Sequence, residues 1–206
     1  MSANPILVEV YRDQVLESFH RGVLCMVEPS GKIIFSRGDI SQIAYPRSAL
    51  KFFHHIPLIV SGAFKHFNFS LEELALMCGS HNGEEAHIAG VLSILEKIGL
   101  TKEALKCGAQ FPTSRKAANF LIKNGLKAEA IHNNCSGKHA GFLAMAVFLG
   151  ENPENYLSPN SQVQKQILKV VEDYHEYEAS KMIRAYDGCS APIFSIPVYN
   201  QALAYA

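Results

Sequence analysis

The sequence lacks an excess of charge of either sign. Its 206 residues include 19 Lys and Arg and 19 Asp and Glu, which cancel to a formal net charge of zero. Proteins that bind nucleic acid, anionic membranes or polyacidic partners by charge carry a clear imbalance. The composition therefore predicts neither a nucleic-acid nor a membrane partner, and it leaves small neutral or zwitterionic ligands open.

Long hydrophobic runs are also missing. No stretch reaches the roughly 18 apolar residues of a membrane span, and residues 1–5 lack the basic residues and apolar core of a signal peptide. The five cysteines are an odd number at wide spacings, which fits a reducing compartment better than a disulfide framework. We therefore predict a cytoplasmic protein.

The first part of the chain has the pattern of β-strands. Segments 6–11, 23–27 and 32–36 are rich in β-branched residues and alternate in polarity. Pro29, Ser30 and Gly31 are turn residues, so the last two segments should form a hairpin. We expect residues 1–38 to supply antiparallel sheet strands.

Residues 39–206 show helical periodicity with recognisable helix ends. The predicted helical segments are one that carries Ser48 and breaks at Pro57, one that ends near Phe67, 70–77 opened by a capping box, 84–96, a turn capped by Thr101, 115–123, 139–149 and 161–174. Strands followed by helices predict an α+β fold.

A further helix starts at Pro197 and has no cap before Ala206. Two or three strands would be a poor platform for so many helices. We therefore expect residues 1–206 to be the N-terminal part of a single domain that is truncated at its C-terminus, with more sheet strands beyond 206.

Ser48 and Lys51 lie three residues apart, a spacing that places two side chains on one helix face. A lysine can act as the base for a serine nucleophile if burial and nearby cations lower its pKa. Apolar neighbours and Arg47 could provide both influences. The alternative is a helix-capping serine beside an unrelated surface lysine.

Residues 78–84 form a glycine-rich turn between two predicted helices. Its Ser80-x-Asn82 pattern has the form of the second motif of serine β-lactamases and penicillin-binding proteins, in which Ser-x-x-Lys is the first. Such a serine can relay protons. The alternative is that Ser80 and Asn82 cap the following helix.

Two cysteines lie in glycine-containing turns close to other donor side chains. Cys135 is followed by Lys138 and His139, and Asp187 precedes Cys189. Two thiolates with one or two nitrogen or oxygen donors suffice for tetrahedral zinc, whereas the alternative is a pair of buried apolar cysteines. The surroundings of Lys138 do not fit a phosphate-binding loop. The remaining dispersed histidines have no paired metal spacing and are interpreted as structural or surface residues.

Four linked motifs resemble the rhizobial type of L-asparaginase over almost the whole chain. They are Tyr-Pro-Arg-Ser-x-x-Lys at 45–51, Cys-Gly-Ser-His-Asn-Gly-Glu at 78–84, His-Asn-Asn-Cys-Ser-Gly-Lys-His at 132–139 and Asp-Gly-Cys-Ser-x-Pro at 187–192. That family is similar in fold to serine β-lactamases and serine-dependent glutaminases. The resemblance implies a homodimeric hydrolase that converts L-asparagine to L-aspartate and ammonia.

The resemblance also implies roles for individual residues. Ser48 matches the nucleophile, Lys51 its base, Ser80 a proton relay and Arg47 a member of the same catalytic cluster. The implied zinc ligands are Cys135, Lys138 and Cys189, and the implied substrate-binding residues are Asn82, His139 and Asp187.

Two alternatives stay open. The same machinery could serve a β-lactamase-like or glutaminase-like amidohydrolase with another substrate. The family also pairs Ser80 with a further lysine for which residues 1–206 hold no counterpart. An inactive zinc-binding fragment is therefore the second alternative.

Overall fold

The computed structural model describes residues 4–206. Over this range the chain forms eight α-helices and eight short β-strands, and the strands pair two by two. The predicted α+β class is confirmed. Within the described range, no helix is both long and apolar enough to cross a bilayer.

The strands precede, and then interrupt, the helices along the chain. In order they are β1 (Ile6–Arg12), β2 (Val15–Arg21), β3 (Leu24–Val27), β4 (Ile33–Arg37), β5 (Ile43–Ala44), β6 (Arg184–Tyr186), β7 (Pro192–Phe194) and β8 (Ile196–Pro197). The helices are α1 (Lys51–Val60), α2 (Ala63–His66), α3 (Leu71–Cys78), α4 (Glu85–Lys97), α5 (Arg115–Lys123), α6 (Ser136–Phe148), α7 (Gln162–His175) and α8 (Val198–Ala204).

The described chain divides into two compact units. The strand unit consists of residues 4–46, 172–183 and 194–206, and the helical unit consists of residues 47–171 and 184–193. All of the candidate catalytic, metal-binding and substrate-binding residues belong to the helical unit.

The strand unit contains two antiparallel hairpins. The predicted hairpin is confirmed, since β3 pairs with β4 across the turn at residues 28–31. The other joins β1 to β2 through a tight turn in which Asp13 has a left-handed φ of 57°. The sequence pattern did not predict β2, because its apolar residues do not alternate; backbone pairing with β1 forms this strand. A third pair joins β5 to β8, which leads directly into α8.

The centre of the helical unit is α6, which packs against α1, α3 and α4. Two glycines allow the close approach of these helices. A Cβ atom on Gly137 would lie 2.5 Å from the Leu76 carbonyl oxygen, and one on Gly141 would lie 2.4 Å from His55 Nε2. Because both distances are shorter than van der Waals contact, any larger residue would push α6 away from α3 and α1.

The helix ends agree in part with the sequence-based prediction. The capping box is confirmed: Glu73 N donates to Ser70 Oγ, and Ser70 N donates to the Glu73 carboxylate. The prediction that the first helix breaks at Pro57 is wrong, because α1 continues to Val60. Proline removes one N–H donor and crowds the preceding turn. The helix still continues past it, and the Pro57 carbonyl accepts a bond of 3.0 Å from Ser61 N.

Candidate active site

Four segments of the helical unit supply the candidate site. Lys51 is the first residue of α1, and a 3₁₀ turn over Arg47–Leu50 precedes it. Ser80 follows the end of α3, whereas Cys135 to His139 span the start of α6. The fourth segment, around Asp187 and Cys189, connects β6 to β7. These four segments, which are far apart in sequence, together form the candidate site.

Lys51 is buried, with 1% of its surface exposed. Its Nζ donates to the Gly79 carbonyl oxygen at 2.7 Å and to Ser80 Oγ at 2.8 Å. Burial lowers the pKa of Lys51, and repulsion from Lys138 acts in the same direction, whereas the Cys135 sulfur opposes the shift. The amine is therefore easier to deprotonate than a surface lysine, as a general base requires.

Ser48 lies in the 3₁₀ turn one helical turn before Lys51, and it is exposed. Among the described residues, no hydrogen bond joins Ser48 Oγ to Lys51 Nζ; the lysine bonds the Ser80 turn instead. Ser48 and Lys51 thus lie one turn apart, but the Lys51 amine bonds the Ser80 turn and not Ser48.

Arg47 has a left-handed backbone conformation, with φ of 50°, which is uncommon for a residue with a side chain. Its Nε and Nη2 donate to Asp187 Oδ1 at 3.0 and 2.5 Å. Hydrogen bonding and attraction to Asp187 raise the pKa of the guanidinium. Asp187 is nearly buried whereas the Arg47 side chain is 66% exposed, so a fixed positive group faces solvent.

Cys135, Cys189 and Lys138 form a buried group of two sulfurs and an amine. Lys138 Nζ lies 3.1 Å from Cys189 Sγ. The Cys135 thiol, acting as hydrogen-bond donor, holds the pKa of Cys189 well below its ordinary value, and the pKa of Cys135 is raised in turn. One of the two sulfurs is therefore readily anionic. Two sulfurs that share one proton beside an amine are a donor set that suits a thiophilic cation.

His139 lies against the same group and is fully buried. Its Nδ1 is 2.7 Å from the Tyr156 hydroxyl, and its Nε2 has no hydrogen-bond partner among the described residues. Burial lowers the pKa of His139, and interaction with Cys189 opposes this shift. In the described part of the chain, no three His, Cys, Asp or Glu side chains form a metal-binding group. A metal here would need the Lys138 amine as a ligand.

Asn82 is exposed, and its contacts point elsewhere. Its Oδ1 accepts a long bond of 3.4 Å from Thr113 Oγ1, and its backbone oxygen accepts 3.0 Å from Ser114 N. The described contacts of Asn82 therefore link the Ser80 turn to the start of α5 rather than to Lys51.

Two histidines hold the segments together through contacts that the sequence pattern did not predict, although a structural role was among those expected for His55. His55 Nδ1 lies 2.8 Å from the Lys51 carbonyl oxygen, and Nε2 lies 3.3 Å from the Lys138 carbonyl oxygen. The ring therefore bridges the backbones of α1 and α6 at the two site lysines. The adjacent His54–His55 pair gave no signal of this role, which depends on the packing of the two helices.

His81 clamps the Ser80 turn to the loop that carries Cys135. Its backbone N donates to the Asn134 carbonyl oxygen at 3.2 Å, and its Nε2 lies 2.7 Å from Ser136 Oγ. Because Nδ1 accepts from Gly83 N, Nε2 carries the proton and donates to the serine. This arrangement does not activate Ser136. The position of His81 directly after Ser80 in the motif was the sequence feature that could have indicated its role.

Comparison with known proteins accounts for this combination of segments. A family model described as L-asparaginase II matches residues 8–206, nearly the whole chain and all four motifs. A search among curated proteins gave no match. The match supports an asparaginase-type amidohydrolase that acts on a small-molecule substrate. The chain therefore belongs to the L-asparaginase II family.

Proposed function

We propose that this protein is an L-asparaginase in which Ser48 is the nucleophile, Lys51 the general base and Ser80 a proton relay. The observation that carries the proposal is the burial of the Lys51 amine within 2.8 Å of Ser80 Oγ, next to the turn that holds Ser48. A buried lysine with a lowered pKa has the property that this chemistry needs.

The proposed reaction has two stages. Ser48 Oγ attacks the side-chain carboxamide carbon while neutral Lys51 takes the hydroxyl proton, and backbone N–H groups at the 3₁₀ turn stabilise the oxyanion. The proton then passes to the amide nitrogen through Ser80, the C–N bond breaks and ammonia leaves. Water hydrolyses the aspartyl ester, which releases L-aspartate and restores Ser48. Catalytic hydrogen bonds are often long without substrate, so Lys51 is expected to turn to Ser48 on binding.

Arg47, Asp187, Asn82 and His139 complete the proposed substrate site. Arg47 is held by Asp187 and presents an exposed guanidinium, which suits the α-carboxylate of asparagine. Asn82 reaches the site only if its weak contact with Thr113 is exchanged for one with substrate.

We also propose that Cys135, Lys138 and Cys189 hold zinc. Their mutual contacts and burial fit a cation that binds sulfur and nitrogen. Bound zinc would favour the deprotonated forms of both thiols and of the lysine, and it would help to orient substrate. A fold related to serine β-lactamases, a cytoplasmic location and a homodimer stay predictions.

The test is ammonia release by wild type, Ser48→Ala and Cys135→Ala, each with its zinc content measured. Ser48→Ala should abolish turnover and keep zinc, whereas Cys135→Ala should lose zinc and mainly raise KM. Ser18→Ala, at an exposed serine in β2, is the matched control and should behave as wild type. Glutamine and a chromogenic β-lactam are the competing substrates.

Three results would overturn parts of the proposal. Comparable turnover in Ser48→Ala would remove the nucleophile assignment. If glutamine or the β-lactam is hydrolysed faster than L-asparagine, that compound becomes the proposed substrate instead. Wild-type protein that binds zinc but releases no ammonia would favour the inactive zinc-binding fragment.

A further inference from the structure

Tyr156 is a fully buried residue to which the proposed reaction gives no role. It follows the 3₁₀ turn Pro153–Asn155 in the helical unit. Its hydroxyl has two close neighbours: Lys106 N donates to the phenol oxygen at 2.8 Å, and His139 Nδ1 lies 2.7 Å from the same oxygen. The phenol therefore connects a backbone N–H to a histidine in the candidate site.

The direction of the Tyr156–His139 bond follows from counting protons. The phenol oxygen already accepts from Lys106, and burial raises the pKa of Tyr156, so the hydroxyl keeps its proton. Within the described residues, His139 Nδ1 is the acceptor that lies within reach of that proton. If Nδ1 carried a proton instead, the buried hydroxyl would be an unpaired donor, which is unfavourable.

We infer that Tyr156 is a positioning residue that fixes His139 in the Nε2–H tautomer, so that His139 serves the site as a hydrogen-bond donor and not as a metal ligand. A protonated Nε2 has no lone pair with which to coordinate a cation. In a neutral ring, the tautomer decides what Nε2 can do.

His139 interacts with the Cys189 side chain. Since Nδ1 is engaged by the Tyr156 hydroxyl and Nε2 has no hydrogen-bond partner among the described residues, Nε2–H is the donor left for that sulfur. A donor beside a metal-binding sulfur stabilises its anionic form and orients it, as outer partners of metal ligands do. This functional consequence rests on the proposed zinc site, whereas the tautomer assignment does not.

The tautomer can be measured directly in the full 206-residue chain. Multiple-bond ¹H–¹⁵N correlation spectra at pH 7.5 distinguish a protonated from an unprotonated ring nitrogen, and a His139→Gln sample identifies the signals. Metal-free wild type should show unprotonated Nδ1 and protonated Nε2, with the other tautomer at least about tenfold less populated. A protonated Nδ1 in wild type would overturn the inference without any variant.

Tyr156→Phe tests whether the phenol is the cause. The ring remains, the hydroxyl is lost, and the Nδ1–H tautomer should become detectable. Tyr199→Phe is the matched control, because it removes a hydroxyl that bonds the Gly31 carbonyl oxygen and not His139. An unchanged His139 spectrum in Tyr156→Phe would refute the role of Tyr156.

Zinc affinity separates this inference from the proposed function. Competition with a chromogenic chelator should show zinc binding weakened by about 10- to 100-fold in Tyr156→Phe and unchanged in Tyr199→Phe. Unchanged zinc affinity despite a changed tautomer would contradict the donor role. If wild type binds no zinc, the zinc proposal fails, and the spectra alone decide the tautomer.

Discussion

The hairpin β1–β2 and the helix α6 invert the usual relation between polarity and burial. Every residue of β1 and β2 is exposed, including Val15 with 70% of its surface accessible. In α6, by contrast, residues 136–146 are buried without interruption, and Ser136, Lys138 and His139 are among them. Polar side chains are thus kept from water in α6, while apolar ones in the β1–β2 hairpin are exposed.

In the helical unit, the burial of apolar side chains has to offset the unfavourable burial of polar ones. Burial of a lysine or a histidine is unfavourable unless hydrogen bonds and nearby charges compensate. In α6 those partners are Cys189 for Lys138 and Tyr156 for His139. Apolar neighbours such as Leu143, fully buried on the same helix, supply the favourable transfer free energy. The apolar core thus offsets the cost of burying these polar groups.

The largest expected effect concerns the buried base. Lys51→Arg should reduce kcat by about 10²- to 10⁴-fold, because a guanidinium cannot be deprotonated under working conditions. The control is Lys65→Arg at an exposed position in α2, which should leave kcat unchanged. Steady-state ammonia release measures both. Near-normal turnover in Lys51→Arg would show that buried position 51 is only structural.

The next effect is a pH dependence with a defined sign. Only the neutral form of Lys51 can accept the Ser48 proton, so kcat/KM should rise as pH increases through the pKa of Lys51. Since burial lowers that pKa, the midpoint should lie below the ordinary lysine value of about 10.4. A pH–rate profile measures the midpoint. A midpoint at or above the ordinary value would contradict the role of burial.

A smaller effect concerns the free energy of unfolding, which should depend on α6 more than on the β1–β2 hairpin. Leu143→Ala in α6 should reduce the free energy of unfolding by about 2–5 kcal/mol, because the side chain is fully buried and its removal leaves a cavity. Urea unfolding followed by circular dichroism gives the value. A loss below about 1 kcal/mol would mean that the helical core is loosely packed.

The smallest effect is expected in the hairpin. Val15→Thr in β2 should change the free energy of unfolding by no more than about 0.5 kcal/mol, since the side chain is largely exposed and threonine keeps the β-branched shape. The same urea titration applies. A loss comparable to that of Leu143→Ala would remove the contrast between the two regions.

Local rules predicted the features that depend on neighbouring residues. Ser70 and Glu73 form the expected capping box, the turn after Pro29 forms the expected hairpin, and α5 has the predicted bounds Arg115–Lys123. These features follow from short-range hydrogen bonding and turn geometry, which a few consecutive residues determine. The linked motifs likewise pointed to an asparaginase family, and the family match confirms that much.

Features that depend on tertiary contacts could not be predicted from a few consecutive residues. Pro57 lies inside α1, although proline alone predicts a break. The contact of His55 with the Lys138 carbonyl joins residues 83 apart, and that of Tyr156 with His139 joins residues 17 apart. Even Lys51 was predicted beside Ser48 but bonds the Ser80 turn. Spacing along one helix cannot show which neighbour a long side chain selects.

The proposed mechanism requires Ser48 to become covalently aspartylated during turnover. The most direct measurement is mass spectrometry of protein that is mixed with L-asparagine and quenched in acid within milliseconds, followed by peptide mapping. We expect an aspartyl ester on the peptide that contains Ser48, attached to Ser48 itself. Turnover without an ester at Ser48, or with an ester on a different side chain, would contradict this mechanism.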